Sequence, residues 1–283
     1  MRQSREEEEH APTAPPLAPA QWGHGGLAVS SSESAELALV VQGWRLAAAG
    51  AGERGPVRRE NQDVFRLERL RDGGLGLLLA DGMGGQAGGG DAASAAVAAA
   101  AAYLADSEGG ESALLGAVAA ANAAVAGVRH RLGGSPGTTL EAAIVSAGRL
   151  VLAHVGDSRA YLVSGGAARA ITDDHSVTGE RVRAGSLSPE DARTDPRRNY
   201  LTRALLGDPV EPDLRMVGLR AGDRLVLCSD GVWSVLADPR IAEVTSGDDL
   251  LATARELVGA ALSAGSTDNA TAVVARVERE DGA

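Results

Sequence analysis

The sequence predicts an α+β fold in which strands pack in layers. Nine short apolar runs are typical of strands, and three longer stretches have helical character. The helical stretches lie before and after the strand-rich middle instead of alternating with each strand, which favours layered sheets over a parallel α/β core. Hydrophobic residues make up 44% of the 283 residues, so the chain can bury a core of that kind.

Each candidate strand is a short apolar run bounded by turn-forming residues. The runs cover residues 44–49, 64–68, 75–80, 138–146, 150–155, 160–163, 215–219, 225–228 and 270–277. Aromatic residues are only 2% of the chain, so Val, Leu, Ile and Ala must fill the core and recognition by aromatic stacking is disfavoured.

Three stretches are candidate helices. Residues 91–105 and 112–131 are separated by the breaker "DSEGGES", which predicts an antiparallel pair, and residues 248–262 are amphipathic. A polar stretch, 178–199, interrupts the strand order, and its "SPED" has the N-cap and proline of a short helix start. We expect this stretch on the surface, either as a mobile flap beside a site or as an ordinary loop.

The two ends of the chain differ in composition. Residues 1–38 are acidic, then rich in Ala and Pro, then serine-rich, which predicts a disordered tail ahead of a folded domain at 39–279. The tail lacks the apolar core of a signal peptide, and the longest strongly apolar run is too short to span a bilayer. We therefore expect a cytoplasmic protein without a membrane segment.

Charge and cysteine content exclude several function classes. The net charge of −11 would repel a phosphate backbone, so nucleic acid is not expected as a partner. One cysteine, Cys228, excludes an intramolecular disulfide framework, which fits a reducing compartment.

Aspartates recur where predicted strands end or begin. Asp81, Asp157 and Asp230 each follow an apolar run, and Asp63 and Asp268 each precede one. Turns favour aspartate in any protein, but the recurrence beside Gly or Asn points to a shared site. Carboxylates and carbonyls are hard oxygen ligands that suit Mg²⁺ or Mn²⁺ better than zinc. The glycine run that begins at residue 82 would let a backbone carbonyl join such a site.

Eight ordered motifs carry a family resemblance. They are "RRENQD", "DGMGG", "GTTL", "HVGDSRAYL", "ITDDHS", "RNYLTRALLGD", "CSDGVW" and "STDNATAVV". With these motifs, residues 43–277 resemble the bacterial PPM-type, or type-2C, metal-dependent Ser/Thr protein phosphatases. The resemblance implies an α-β-β-α sandwich, with two antiparallel sheets flanked by helix pairs.

The resemblance also implies a binuclear Mn²⁺ or Mg²⁺ centre at one edge of the sandwich. Asp81 would bridge both cations and the Gly82 carbonyl would bind one of them. Asp230 and Asp268 would bind the other cation, and Asp157 would contribute to a third, weaker site. A metal-bound hydroxide would then attack phosphorus without a phospho-enzyme intermediate.

Four more positions follow from the same resemblance. Arg58 would hold the substrate phosphate, and Asp63 would contact a cation through water or support a ligand. Gln62 stands where many members have Glu, which predicts weaker metal retention and a more acidic bound water. Met83 stands where many animal members have a His that could act as general acid, so the source of the leaving-group proton stays open.

The implied function is hydrolysis of phosphoserine and phosphothreonine in proteins. The implied partners are phosphorylated proteins, including a Ser/Thr kinase or its substrates, and the chain is expected to be a monomer. One alternative is a catalytically weak relative that binds phosphoproteins as a regulator, although Arg58 and the aspartates argue against it. Another keeps the chemistry and narrows the substrates to regulatory phosphoproteins such as anti-sigma antagonists.

Overall fold

The computed structural model describes residues 27–30, 34–84 and 88–280. Its strands are β1 (Leu27–Ser30), β2 (Ser34–Val41), β3 (Trp44–Glu53), β4 (Asp63–Arg69), β5 (Leu75–Met83), β6 (Gly137–Thr138), β7 (Leu140–Ser146), β8 (Arg149–Val155), β9 (Arg159–Ser164), β10 (Ala167–Ala170), β11 (Asp213–Gly218), β12 (Arg224–Cys228) and β13 (Ala270–Arg279). Its helices are α1 (Gly89–Ala105), α2 (Gly110–Leu132), α3 (Val177–Arg183), α4 (Pro189–Thr194), α5 (Asp230–Trp233), α6 (Asp238–Val244) and α7 (Leu250–Ser263).

The strands form two antiparallel sheets. The first has the order β1-β4-β5-β7-β8-β11, with the short β6 paired to the end of β5. The second has the order β10-β9-β12-β13-β3-β2. In the second sheet the last strand in sequence, β13, lies between β12 and β3 and pairs with β3 over its whole length.

The sheets face each other across a core of mainly aliphatic side chains. Leu77 from the first sheet and Leu46 from the second both belong to this core. Successive side chains of a strand point to opposite faces, and β12 shows this directly. Its Leu225 and Leu227 face the other sheet, whereas its Val226 packs outward against the helices.

Helices cover both outer faces, which confirms the α-β-β-α sandwich. The paired α1 and α2 pack on the first sheet through small residues, mostly alanines, and α5, α6 and α7 pack on the second. By length and composition α2 could cross a membrane, contrary to the sequence expectation. In this fold one face of α2 is buried against α1 and the first sheet through residues such as Leu114 and Val118.

All nine predicted strands and the three predicted long helices are confirmed, but β1, β2 and β10 were missed. Strand β2 (Ser34–Val41) crosses the predicted domain boundary at residue 38. In β2, Ala35 and Leu39 are buried while Glu36 and Val40 are exposed, so this strand adds an edge to the second sheet. Strand β1 pairs with β4 at the edge of the first sheet. The disorder predicted for residues 1–26 lies outside the described residues.

The polar stretch 178–199 contributes two short helices. Helix α4 starts as the "SPED" motif predicts, because the Ser188 hydroxyl accepts a hydrogen bond from the Asp191 N–H at 3.0 Å. Helix α3 starts in the same way, with the Ser176 hydroxyl accepting from the Gly179 N–H at 3.0 Å. None of the residues of α4 is buried, which confirms the surface location.

Candidate active site

The predicted site residues meet at one end of the sandwich, where strands from both sheets begin or finish. All of them except Asp63 line a cavity of about 170 Å³. Asp63 at the start of β4 lies directly opposite Asp81 near the end of β5, as Cα partners in the antiparallel pair. The cavity is lined by Arg58, Gln62, Asp81, Gly82, Met83, Gly84, Thr139, Asp157, Asn199, Leu201, Asp230, Asp268 and Asn269.

The backbone of Asp81 is held by two threonines on the neighbouring chain segment. Its N–H donates to the Thr139 hydroxyl at 2.9 Å. Its carbonyl oxygen accepts from the Thr139 N–H and from the Thr138 hydroxyl, both at 2.9 Å. With the backbone fixed at three points, the Asp81 side chain keeps one direction into the cavity.

Gly82 lies where the backbone has no room for a side chain. A Cβ at this position would lie 2.3 Å from the Gly89 carbonyl oxygen and 2.8 Å from the Gln62 carbonyl oxygen. The Gly82 N–H donates to that same Gln62 oxygen at 3.1 Å. The close packing fixes the peptide after Asp81 and explains the glycines on either side of the turn. Residues 85–87, inside the glycine run, lie outside the described residues.

Asp230 and Asp268 come together through a second glycine contact. Asp230 is the first residue of α5, and Asp268 lies two residues before β13. A Cβ on Gly231 would lie 1.9 Å from the Asn269 carbonyl oxygen, so the start of α5 rests directly on the backbone beside Asp268. The Asp268 Oδ1 accepts from the Asn269 N–H at 2.8 Å.

Asp63 is buried behind the other acids. Its Oδ2 accepts a hydrogen bond from the Ser229 hydroxyl at 2.7 Å. Its Oδ1 is buried and has no hydrogen-bond partner among the described residues. Burial raises the pKa of Asp63 to about 6, although the hydrogen bond from Ser229 offsets part of this effect.

Asp157 lies in the turn between β8 and β9, and it is also buried. Its carbonyl oxygen accepts from the Trp233 indole N–H at 2.8 Å. Burial, with a smaller contribution from the neighbouring Asp174, raises the pKa of Asp157 to about 7. Trp233 itself packs in the outer core of the second sheet.

The acids around the cavity repel one another. Burial first, and then the charges of neighbouring aspartates, raise the pKa of Asp81 and of Asp230 well above the ordinary value. The Asp230 Oδ1 is buried and has no partner in the described part of the chain. Buried carboxylates with unsatisfied oxygens are stabilised by cations, so this donor set fits hard divalent ions. No three acidic, His or Cys side chains among the described residues are already arranged to hold a metal ion, although four aspartates line the same cavity.

Arg58 lies at the rim, with 45% of its side chain exposed, and its guanidinium forms an ion pair with Asp268. The loop that carries it is held in place by Gly55, whose carbonyl accepts from the Arg58 N–H at 3.1 Å. A Cβ on Gly55 would lie 2.2 Å from the Asp268 carbonyl oxygen. A predicted phosphate-binding residue and a predicted metal ligand are therefore in direct contact.

Gln62 reaches the cavity, as the resemblance implies. Its Nε2 donates to the Glu60 carboxylate at 2.7 Å, so the amide is oriented by an exposed acid two residues earlier. This acid was not considered in the sequence prediction.

Outside the glycine run that begins at residue 82, four further residues that the sequence prediction did not assign to the site line the cavity. They are Thr139, Asn199, Leu201 and Asn269. All four fall inside the quoted motifs "GTTL", "RNYLTRALLGD" and "STDNATAVV", so the motifs carried the signal although the individual residues were not singled out.

Comparison with known proteins shows what this chain is similar to. The family model "Protein phosphatase 2C" matches residues 57–264. The serine/threonine protein phosphatase PstP of Mycobacterium tuberculosis is 42% identical over 236 residues, which cover 81% of this chain and 44% of PstP. The chain thus spans less than half the length of that relative.

Two further comparisons cover most of the matched protein. The serine/threonine phosphatase stp of Listeria monocytogenes is 34% identical over 239 residues, 81% of this chain and 94% of the relative. The crystal structure of the PstP catalytic domain in complex with two manganese ions has a TM-score of 0.74 and 37% identity, covering 83% of this chain and 99% of that one. The chain belongs to the protein phosphatase 2C family.

Proposed function

We propose that this protein is a metal-dependent Ser/Thr protein phosphatase. One observation carries the proposal: four buried or partly buried aspartates, Asp81, Asp157, Asp230 and Asp268, line one cavity with an arginine at its rim. Acids that repel one another are stabilised by cations, and a guanidinium beside them can bind a phosphate with two parallel hydrogen bonds.

The proposed metal site uses the oxygens that the fold directs into the cavity. Asp81, Asp230 and Asp268 with the Gly82 carbonyl would hold two Mn²⁺ or Mg²⁺ ions, in line with the two manganese ions of the PstP catalytic domain. Asp157 would contribute to a third and weaker site. Bound cations would supply a hydroxide nucleophile from water and neutralise phosphate charge.

The remaining residues would orient the substrate and the acids. Arg58 is exposed enough to meet a phosphate from solvent, provided that its guanidinium leaves Asp268. The Thr139 hydroxyl fixes the backbone of Asp81, and Asp63 supports the group from behind through Ser229. The cavity wall therefore holds the reacting groups in position before the substrate enters.

The proposed substrates are phosphoserine and phosphothreonine in proteins, including a Ser/Thr kinase or the substrates of that kinase. A cytoplasmic location and a monomeric state belong to the same proposal. The polar stretch 178–199 is proposed as a flap, because Asn199 at its end lines the cavity.

Phosphate release from a phosphothreonine peptide tests the proposal. We expect release with Mn²⁺, loss of activity in EDTA, and much slower release from a matched phosphotyrosine peptide. Full activity in chelator would overturn the metal-dependent mechanism. Binding of the phosphothreonine peptide without phosphate release would instead support the alternative, a phosphoprotein-binding regulator.

A further inference from the structure

The turn that carries Asp157 is held by a reciprocal pair of hydrogen bonds to one histidine. The His175 N–H donates to the Gly156 carbonyl oxygen at 2.7 Å. The Gly156 N–H in turn donates to the His175 Nδ1 at 3.1 Å. The histidine is buried, so these bonds are shielded from water.

The acceptor bond determines which ring nitrogen carries the proton. Nδ1 of His175 accepts from Gly156 through its lone pair, so Nδ1 carries no hydrogen and the proton of the neutral ring sits on Nε2. Nε2 lies 3.4 Å from the Asp213 carboxylate, which can accept that proton, and 3.0 Å from the Arg203 Nη1, which can only donate and so does not bond to a protonated Nε2. Asp213 also accepts a hydrogen bond from Arg203 at 2.7 Å, so the same carboxylate lies beside both the imidazole and the guanidinium.

The same turn is held from its other side by Trp233. Its indole N–H donates to the Asp157 carbonyl oxygen at 2.8 Å. The Arg159 guanidinium covers the indole ring at 3.6 Å from the ring centroid. Arg159 also binds both oxygens of Asp174 at 2.8 Å, and Asp174 directly precedes His175. These contacts link Trp233 to His175, so the turn is held from both sides by connected residues.

The backbone conformation and the packing of Gly156 both restrict the turn. Its φ of 117° lies in a region that favours glycine, and a Cβ there would lie 2.5 Å from the Thr139 side chain. Thr139 is the residue whose hydroxyl holds the backbone of Asp81. The Asp157 turn therefore packs against the support of another cavity acid.

We infer that His175 and Trp233 are positioning residues that aim the Asp157 carboxylate into the cavity through the backbone on either side of it. This inference rests on the proposed cation site. Neither side chain needs to touch a cation or the substrate. Residues that orient a ligand in this way typically contribute about 10- to 100-fold to metal affinity.

Direct Mn²⁺ titration of the full chain tests the inference. Asp157→Asn first identifies which part of the binding curve belongs to Asp157. His175→Leu should weaken the same part by about tenfold, at a melting temperature close to that of the wild type. His175→Asn should restore most of the affinity, because the asparagine Oδ1 can accept from the Gly156 N–H in place of Nδ1. His130→Leu, at an exposed histidine, is the matched control and should bind Mn²⁺ like the wild type.

A second variant keeps the test decisive if His175→Leu does not fold. Trp233→Phe keeps an aromatic ring under Arg159 and removes the indole N–H with the five-membered part of the ring, so we expect a loss of about threefold, the value of one hydrogen bond. Trp44→Phe makes the same change at the opposite end of β13, where the ring contacts Arg279, and should have no effect. The double variant Asp157→Asn with Trp233→Phe should bind no more weakly than Asp157→Asn alone.

Two results would overturn the inference. One is wild-type Mn²⁺ binding in both His175→Leu and Trp233→Phe, and the other is an effect that adds fully to that of Asp157→Asn. A wild-type protein that binds Mn²⁺ but releases no phosphate would contradict the proposed function alone. The titrations would still decide the positioning role.

Discussion

Two buried sites that contain carboxylates differ in what balances the negative charge: the Glu141–His154 pair and the acids around the cavity. Glu141 and His154 lie opposite each other on β7 and β8 and are completely buried between the sheets. The His154 Nδ1 contacts the Glu141 carboxylate, and its Nε2 lies 3.0 Å from the Asp173 carbonyl oxygen. The neighbouring Glu141 raises the pKa of His154 despite its burial, so the pair carries its own counter-charge.

The acids of the cavity have no such internal balance. Asp63, Asp81 and Asp230 stand beside further acids, and of the group around the cavity Asp268 pairs with Arg58. Carboxylate oxygens without a hydrogen-bond partner do not distinguish the two sites, because the Glu141 Oε2 also has no partner among the described residues. The two sites differ in whether a positively charged side chain balances the carboxylates. A buried charge that is balanced inside the protein supports the fold, and one that is unbalanced and faces a cavity is placed to bind something from solvent.

The largest expected effect comes from removing an unbalanced acid. Asp81→Asn should lower Mn²⁺-dependent phosphate release by about a thousandfold, since metal-ion catalysis contributes several kcal/mol. The protein should stay folded in EDTA, because the change removes a repelling charge. Activity on the phosphothreonine peptide and thermal melting check both statements. A variant that keeps more than a tenth of the activity would exclude Asp81 from the reaction.

Breaking the balanced pair should act on stability instead. Glu141→Ala leaves His154 buried without its counter-charge and should lower the free energy of unfolding by about 3–5 kcal/mol. Replacing both residues by apolar side chains of similar volume, Glu141→Met with His154→Phe, should recover most of that loss. Urea unfolding measures the three proteins. If the double variant is as unstable as Glu141→Ala, lost packing and not the unpaired charge accounts for the effect.

The pH dependence of stability in EDTA separates the two groups further. The pKa of Asp63 rises from 3.8 to about 6 on folding, and that of Asp157 to about 7. The folded state therefore holds more protons than the unfolded state, so the free energy of unfolding should fall as pH rises from about 4 to about 7. Asp157→Asn should flatten the upper part of this fall.

The control for the pH experiment is an exposed acid. Asp106, paired with Arg71 at the surface, has 83% of its side chain exposed, so Asp106→Asn should keep the wild-type slope. Stability that rises over the same pH range in EDTA would show that the cavity acids are not strained by their burial.

The smallest expected effect concerns Gln62. Two divalent cations carry one charge more than the three aspartates proposed to bind them, and Gln62→Glu would cancel it. The variant should bind Mn²⁺ more tightly and reach half of its plateau rate at a higher pH, since a neutral ligand set acidifies bound water less. A Mn²⁺ titration and a pH–rate profile of both proteins test this. Unchanged curves would place residue 62 outside the influence of the cations.

Much of this architecture could be predicted because its strands are continuous apolar runs. Residues 75–80 are fully buried, and the sequence there contains little but Leu, Gly and Ala. Strand β10, with the sequence "AARA", has no such signal, because it is held by pairing with β9 at an open edge. Strand β2 was hidden by the serines and glutamate in and before it. Edge strands depend on tertiary pairing, and composition describes them poorly.

The candidate site shows the same limit. Asp81, Asp157, Asp230 and Asp268 could be singled out because each sits next to a strand that the sequence reveals. The ion pair of Arg58 with Asp268 joins residues 210 positions apart, so no local pattern could have predicted it. The two hydrogen bonds that His175 makes with Gly156 are equally invisible to the sequence, because they depend on how separate segments pack in three dimensions.

The central position of β13 affects how the domain folds during translation. Among the described strands this one is the last to leave the ribosome, yet both β12 and β3 pair with it, and Asp268 lies just before it. Until residue 279 has emerged, a nascent chain has a gap in the middle of one sheet and lacks one of the cavity acids in its place. Completion of the second sheet must therefore wait for this strand. Catalytic competence should appear in one step when β13 emerges, and not grow with chain length.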